Sequence, residues 1–435
     1  MANSLPIEIQ AEIIKHLPIK SLIRCTLLSK LFSSIIKSSS FVTEHSVRHN
    51  QQHYLIAHLK KIISSLTLRI ELITSPDTTV YARSKLYVSI IDNDTFPQNK
   101  SPITVPEFIK RFEPGQSYGF CSSQGLLCLF EDAVVEKKCI IWNPSIRRCI
   151  VIPIPDASAT VVGFGVCPDS SDIKLVKIRE YDNSATSNSV NWEAEVYTVS
   201  SGIWKTVRSD KPHESVSLNS DQVAINGIIY FSANDYSSRM NGYPKNLIIT
   251  FDLTSDKIGE VQLPDSLALV SGVLYLSRRM ESLAVIHDYE EGEQRVCDVW
   301  MMKHGVRNSY EKLFTFRAPK DSDDRVLGFR KNGDPILLRS GPSKGDKIEV
   351  YNPSSEQFTD LEVFGSGDCI EAVIVDSLAE TLHLIDLSNT ILINDDNKVD
   401  VDNEKDAAND NDDHDDDDDD ATTAASVLMD MFQAK

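Results

Sequence analysis

The chain has 435 residues, of which 41% are hydrophobic and 25% charged, and its formal net charge at pH 7 is −20. This length allows a large core and more than one module. The negative charge is concentrated at one end, since residues 391–435 contribute −13 and leave −7 for residues 1–390. Neither part has the basic stripe that phosphate binding requires, so we expect no direct nucleic-acid ligand.

Hydropathy and cysteine spacing limit the compartment and the cofactors. No apolar run approaches the ~20 residues of a membrane span, and no basic-then-apolar signal segment opens the chain. We therefore expect no membrane contact and a location in the cytoplasm or the nucleus. The eight cysteines include no Cys-x-x-Cys pair, so free thiols are expected rather than a disulfide framework or a zinc site.

Residues 5–36 predict three short helices. Pro6 suits a first helical turn, Pro18 ends the first helix, and Ser21 and Ser29 are candidate N-caps of the next two. Helices this short cannot bury their apolar faces alone, so they must pack on a larger domain or bind a partner. The apolar positions that need such a cover are Leu5, Ile9, Ile13, Leu17, Leu22, Leu28 and Phe32.

Four histidines follow these helices, at positions 45, 49, 53 and 58. Three of them have helical i, i+4, i+8 spacing, which a metal ion could use if they shared one helix face. We expect no metal site, because no carboxylate or cysteine ligand is placed beside them. Residues 54–56 already have the composition of a strand.

From about residue 54 to residue 393, short β segments alternate with turn residues and helical periodicity is almost absent. This pattern predicts an antiparallel all-β domain. Six strand ends recur at spacings of 51, 55, 54, 49 and 51 residues, at Ile91, Trp142, Tyr197, Phe251, Trp300 and Tyr351.

A unit of about 50 residues with several strands is typical of a propeller blade, so the repeat predicts six blades, with seven as the alternative. Leftover strands near Tyr54 and Leu384 are expected to pair in one blade and close the ring. An array of two-sheet β-sandwiches is the competing architecture.

The first stretch also carries a specific motif. Residues 5–36 read LP-x-E-I-x-x-E-I-I-x-x-LP-I-K-S-L-x-R-C-x-x-L-S-K-x-F-x-x-I-I, which resembles the F-box of plant F-box proteins. The resemblance implies docking on the Skp-type adaptor of an SCF, or cullin-RING, ubiquitin ligase. The residues implied to face the adaptor or the small core of the motif are Leu5, Pro6, Ile9, Ile13, Leu17, Pro18, Leu22, Leu28 and Phe32. Phe32 stands where many relatives have Trp.

Short sequence motifs in the β region resemble the F-box-associated (FBA) domain of the S-locus F-box-like and F-box-kelch-like group. Among them are Gly-Leu-Leu-Cys-Leu from Gly125 and Ile-Trp-Asn-Pro-Ser-Ile-Arg-Arg from Ile141. The resemblance implies a kelch-like β-propeller. The predicted organisation is an F-box of three helices at residues 1–45, a propeller at 46–393 and a disordered acidic tail at 394–435, which has too few large apolar residues to fold.

No catalytic motif is present, and no cofactor is expected. The resemblance implies a non-catalytic receptor subunit that holds a protein for ubiquitination, the substrate itself being unidentified. We expect the loops 183–191, 232–245 and 340–347 to select the substrate, since polar loops vary without disturbing a core. Two alternatives stay open: an adaptor-independent propeller scaffold for protein–protein interaction, and a metal- or cofactor-bearing propeller oxidase.

Overall fold

The computed structural model describes sixteen segments of the chain. Most of the predicted tail, residues 394–435, lies outside them, and so do residues 5 and 6. No helix in the described part is long and apolar enough to cross a membrane. The segments are 7–49, 53–63, 82–103, 120–131, 137–155, 160–182, 190–208, 215–240, 242–303, 309–320, 322, 324–341, 345–363, 369–386, 391–393 and 399–400.

Four helices occupy the first segment: α1 (Ile7–Ile14), α2 (Ile19–Leu28), α3 (Lys30–Lys37) and α4 (Ser39–His49). Pro18 is the N-cap of α2, where its fixed φ of −64° starts the helix without requiring a donor. Ser29 separates α2 from α3, and its hydroxyl accepts a hydrogen bond from Phe32 N at 3.1 Å. The three predicted helices are therefore present, and a fourth follows them.

The rest of the described chain is almost entirely antiparallel sheet, with one short helix, α5 (Asp265–Ala268). Sheet I contains β1 (His53–Ile63), β2 (Ala82–Ile91), β3 (Lys100–Pro102) and β24 (Cys369–Ala379). Sheet II contains β4 (Phe120–Ser123), β5 (Leu126–Glu131), β6 (Lys137–Asn143), β7 (Arg148–Ile154), β25 (Ile391–Ile393) and β26 (Val399–Asp400). Sheet III contains β8 (Thr160–Val166), β9 (Ile173–Asp182), β10 (Val190–Thr198) and β11 (Ile203–Thr206).

Three further sheets follow in chain order. Sheet IV contains β12 (Val216–Ile225), β13 (Ile228–Met240), β14 (Tyr243–Asp252) and β15 (Lys257–Val261). Sheet V contains β16 (Val273–Arg279), β17 (Ser282–Glu291), β18 (Gln294–Met302) and β19 (Tyr310–Pro319). Sheet VI contains β20 (Arg325–Phe329), β21 (Pro335–Gly341), β22 (Gly345–Asn352) and β23 (Gln357–Asp360).

The sheets have the strand order of a β-propeller, as predicted. Each strand pairs with its neighbours in the chain, except that β24 pairs with β1 in sheet I and β25 pairs with β7 in sheet II. The six sequence landmarks lie in the third strand of six different sheets. The predicted count of about six blades, with seven as the alternative, is nevertheless wrong. Five sheets are four-stranded blades, and sheet II has six strands because β25 and β26 extend it beyond β7.

The ring is closed by β1 and β24, which come from opposite ends of the β domain. The first strands of the sheets contact one another in turn, from β24 through β4, β8, β12, β16 and β20 back to β24. The strand near Tyr54 is β1, and it pairs with β24 over most of its length. The expected partner strand near Leu384 is absent, since β24 ends at Ala379 and residues 383–386 form turns. Ring closure thus joins residues more than 300 positions apart in sequence.

Two residues of sheet II hold the segment that follows β24. The buried Asn143 amide donates to the carbonyl oxygens of Thr381 (3.0 Å) and His383 (2.7 Å). Gly125 has φ +81°, and a Cβ there would lie 2.2 Å from the Ala379 carbonyl oxygen. Only glycine allows this approach of two backbones, so the local sequence of sheet II is adapted to the closure.

Candidate partner-binding surfaces

Five large apolar side chains on α1–α3 are exposed to solvent, and we call them the apolar helix set. Their exposed fractions range from 49% to 84%. Single exposed apolar residues are common, but five of them on three adjacent short helices are typical of a surface that a partner covers. The set comprises Ile9 (49%), Ile13 (51%), Leu27 (84%), Leu28 (74%) and Leu31 (54%).

The structure divides the predicted adaptor-binding residues into three groups. Ile9, Ile13 and Leu28 are exposed, and so is Pro18 at the start of α2. Leu17 and Phe32 are partly buried and pack against the core. Leu22 has no exposed surface, so it supports the helices from inside and does not reach the surface. Leu5 and Pro6 lie outside the described residues.

Leu27 and Leu31 were missed by the sequence analysis. They lie next to the Ser29 break between α2 and α3, where the helical phase is interrupted and periodicity no longer tells which side faces out. Their large apolar side chains beside a predicted cap were the available signal. Both belong, with Leu28, to the apolar helix set.

The opposite side of these helices packs on the propeller. The buried side chains of Ile14, Ile19, Leu22 and Ile36 share one core cluster with residues of sheets II and III. Because this cluster is continuous, the helices are anchored to two blades and do not form a separate small core.

Polar contacts strengthen the same junction. The Thr43 and Ser171 hydroxyls lie 2.7 Å apart, which joins α4 to the β8–β9 connection. The buried His45 ring contacts the Leu17 carbonyl oxygen through Nε2 at 3.0 Å, so it has a structural contact. Lys15 pairs with both Glu12 and Glu44. The apolar helix set is thereby carried on a fixed support.

The helices cover one end of the propeller strands, which we call the helix face. Ser171, which contacts Thr43 of α4, lies in the connection between the first and second strands of sheet III. Ile146, which shares the core cluster of the helices, lies in the connection between the third and fourth strands of sheet II. Connections between second and third strands lie at the opposite ends, because antiparallel strands alternate in direction. We call those ends the hairpin face.

All three predicted substrate-selecting loops connect a second strand to a third, so their strands lead to the hairpin face. Residues 183–189 lie outside the described residues. The prediction for 232–245 is wrong in its secondary structure: these residues form a long hairpin in which β13 and β14 pair up to Met240 and Tyr243. Polar composition suggested a loop, but paired strands tolerate polar side chains where they extend beyond the core. The third connection runs from Gly341 to Gly345.

A cavity of about 380 Å³ lies between sheets IV and V toward the hairpin face. Its lining comes from β12, β13 and β14 on one side and from β16, β17 and the β15–β16 connection on the other. Asn246 fixes this connection, since its amide donates to the Leu267 carbonyl oxygen at 3.0 Å and its oxygen accepts from Asn234 at 2.9 Å. Gly272 allows the wall to approach β17: its φ is +105°, and a Cβ would lie 2.4 Å from the Asp288 carbonyl oxygen.

One acidic side chain lines this cavity. Asp221 lies at a bulge of β12, and its Oδ2 accepts a hydrogen bond from Leu276 N at 2.5 Å. Burial raises the pKa of Asp221 to about 6, and hydrogen bonds from the backbone of Leu276 and Gln222 oppose that rise only in part. Neither Asp221 nor the cavity was singled out by the sequence analysis, because no motif surrounds this residue.

Within the described ranges, no group of three or more His, Cys, Asp or Glu side chains is placed to hold a metal ion. Asp324 is buried and bonded to Arg339 at 3.3 Å.

Two family models match the chain. The F-box domain matches residues 3–44, and the F-box associated beta propeller domain matches residues 78–323. The chain is also similar to F-box protein CPR1 of Arabidopsis thaliana, with 25% identity over 377 residues that cover 78% of this chain and 81% of the relative. F-box protein At5g18160 of the same species is 26% identical over 382 residues, which cover 84% of each chain.

Proposed function

Because the chain belongs to the F-box proteins that carry an F-box-associated β-propeller domain, we propose that it is the substrate receptor of an SCF ubiquitin ligase. The F-box helices dock on a Skp-type adaptor, and through it on a cullin-RING ligase. The propeller binds the protein to be ubiquitinated. In this role the chain is not catalytic.

The apolar helix set is the observation that carries the proposal. It lies within the F-box match and is exposed, while the other side of the same helices is buried against the propeller. An amphipathic helix with one face anchored and one face uncovered suits an interface, since covering that face gains hydrophobic free energy without unfolding anything.

The two faces of the propeller suit two different partners, with the adaptor at the helix face and the substrate at the hairpin face. The helices occupy the helix face, which leaves the hairpins and the cavity of sheets IV and V uncovered by them. A receptor with its adaptor on one end and its substrate on the other contributes proximity, because it raises the effective concentration of a substrate lysine near the conjugating enzyme. A rigid junction between helices and blades favours this role, since it fixes the distance between the two partners.

The test is adaptor binding by the full chain and by Ile13→Asp. Covering the exposed half of Ile13 is worth about 1 kcal/mol, as half of the ~1.5–3 kcal/mol for burying such a side chain. An unpaired carboxylate in the interface costs roughly 3–5 kcal/mol more. Since 1.4 kcal/mol is tenfold, the variant should bind at least ~100-fold more weakly.

Ser40→Asp is the matched control, because Ser40 is exposed on α4 and the charge changes equally. Isothermal titration with a recombinant Skp-type adaptor measures all three proteins. Loss of binding in Ile13→Asp alone supports the proposal. Failure of the unmodified chain to bind any adaptor, together with retained partner capture, would favour the adaptor-independent scaffold.

A further inference from the structure

The cavity between sheets IV and V lies toward the hairpin face, apart from the apolar helix set on the helix face. Its volume of about 380 Å³ is near the lower end of the ~300–1,000 Å³ of ligand pockets. This size suits one or two side chains of a partner better than a large cofactor. The inference below rests on the proposed receptor function and deepens it.

The first observation is an acidic group without a compensating cation. Asp221 is the one carboxylate among the lining residues, and no lysine, arginine or histidine lines the cavity in the described part of the chain. Arg295 and Arg325 act electrostatically on the lining residue Tyr275, but neither lines the cavity, and Arg295 is already paired with Asp288 through Nε at 2.9 Å. A ligand that carries a cation would supply the missing charge.

The second observation is a hydroxyl without a partner. Ser232 on β13 is 4% exposed and lines the cavity, and its Oγ has no hydrogen-bond partner among the described residues. Buried polar groups in folded proteins are almost always hydrogen-bonded, so such an atom marks a place where a ligand or water completes the bonding. Ser232 lines the same cavity as Asp221 but lies on the neighbouring strand. The unpartnered hydroxyl of Ser232 and the uncompensated charge of Asp221 are therefore independent observations.

The rim of the cavity adds aromatic and apolar surface. Val273 and Tyr275 line the cavity and are also 52% and 40% exposed, so they lie at its mouth. Tyr236, which is 41% exposed, lies on β13 two residues beyond the lining residue Asn234. Exposed tyrosines are enriched at protein interfaces, and an aromatic ring face attracts a cation that passes it.

We propose that this cavity binds a lysine or arginine side chain of an extended segment of the substrate protein. The carboxylate of Asp221 accepts hydrogen bonds from the ammonium or guanidinium group, and the Ser232 hydroxyl supplies a further acceptor. Tyr275 and Val273 contact the aliphatic stem and the flanking residues. The net charge of −7 on residues 1–390 favours the approach of a basic segment.

A protein segment is the occupant rather than a small free amine because of where the cavity opens. Its mouth is surrounded by exposed side chains of two blades, and the β13–β14 hairpin extends beside it. A small amine would leave Val273, Tyr275 and Tyr236 exposed, whereas a peptide that runs across the mouth covers them.

The test uses the full chain in complex with a Skp-type adaptor and a phage library of randomised heptapeptides. We expect the selected peptides to share one position occupied by Lys or Arg. A synthetic peptide of the selected sequence should bind at least tenfold more tightly than its Gln counterpart. Asp221→Asn should remove this tenfold preference, and Ser232→Ala should weaken binding several-fold while keeping the preference.

Asp169→Asn is the matched control, since Asp169 is exposed on the β8–β9 connection and the substitution changes net charge equally. It should keep the full preference. The inference is overturned if no peptide is enriched, if the selected peptides lack a basic position, if the preference survives Asp221→Asn, or if Asp169→Asn loses it as well. Displacement by free agmatine with the same affinity as the peptide would also overturn it.

These outcomes are separate from adaptor docking. Co-purification of the adaptor with each variant reports on the F-box helices alone, whereas peptide selection reports on the cavity. Retained adaptor with no peptide preference refutes the cavity assignment only, and loss of adaptor with peptide preference retained refutes the receptor function only.

Discussion

Substitution of the cavity carboxylate should make the free protein more stable at neutral pH. Burial raises the pKa of Asp221 to about 6 from an ordinary value of 3.8. A carboxyl group with a raised pKa contributes stability that is complete below its unfolded pKa and is lost as pH rises through its folded pKa. The window is therefore pH 3.8 to about 6, and at pH 7.5 the ionised Asp221 destabilises the fold.

The size of the effect follows from the two pKa values. A shift of about two units corresponds to a cost of about 3 kcal/mol at pH 7.5, since each unit is worth about 1.4 kcal/mol. Asp221→Asn removes this cost but weakens the hydrogen bond from Leu276 N, by on the order of 1 kcal/mol. We expect a net gain of about 1–2 kcal/mol in the free energy of unfolding at pH 7.5.

Urea unfolding at pH 7.5 and pH 5.5 measures the difference between the unmodified chain and the variant. Both values lie above the pI of about 4.9, where the protein keeps a net negative charge. Protonation of Asp221 should reduce the advantage of the variant by about 1 kcal/mol at pH 5.5. Asp169→Asn, at an exposed position, should change the free energy of unfolding by less than about 0.5 kcal/mol. An Asp221→Asn chain that is no more stable at pH 7.5, with a difference independent of pH, would refute the reasoning.

Three further predictions concern the propeller. Asn143→Ala should lower the free energy of unfolding by about 2–4 kcal/mol in urea, because two buried carbonyl groups lose their donor; a loss below 1 kcal/mol would contradict this. Gly272→Ala should cost more than 2 kcal/mol, against about 1 kcal/mol for Gly242→Ala, whose φ is +87° and whose Cβ would meet nothing within 4 Å; equal losses in thermal unfolding would show that the contact is unimportant. A chain ending at Val363 lacks β24 and should aggregate in size-exclusion chromatography through the exposed edge of β1, whereas a monodisperse, cooperatively unfolding product would argue against ring closure.

The sequence predicted the propeller well because its repeat reflects a packing requirement. Trp142 and Phe251 lie at the ends of third strands, where each blade must fill the same space against its neighbour, so apolar residues recur every 50 or so positions. Pairing between strands that are far apart in the sequence leaves no such repeat. The addition of β25 and β26 to sheet II depends on Arg148 and Cys149 meeting residues more than 200 positions later, which no local pattern records.

The exposed apolar positions of the helices were predicted in part. Helical spacing identified Ile13 and Leu28 as apolar positions that need a cover, but it could not separate them from Leu22, which the propeller covers. Which side of a helix faces its own domain depends on the packing of the whole chain. The cavity was not predictable from the sequence. Asp221 and Ser232 lie on different strands, and they line one cavity only once sheets IV and V have packed together.

The most direct test of the receptor assignment is amide hydrogen exchange of the full chain with and without a Skp-type adaptor. Adaptor docking on the apolar helix set predicts slower exchange in α1, α2 and α3, which the adaptor covers, and unchanged exchange in the β13–β14 hairpin. Protection on the hairpin face with no change in the three helices would contradict it.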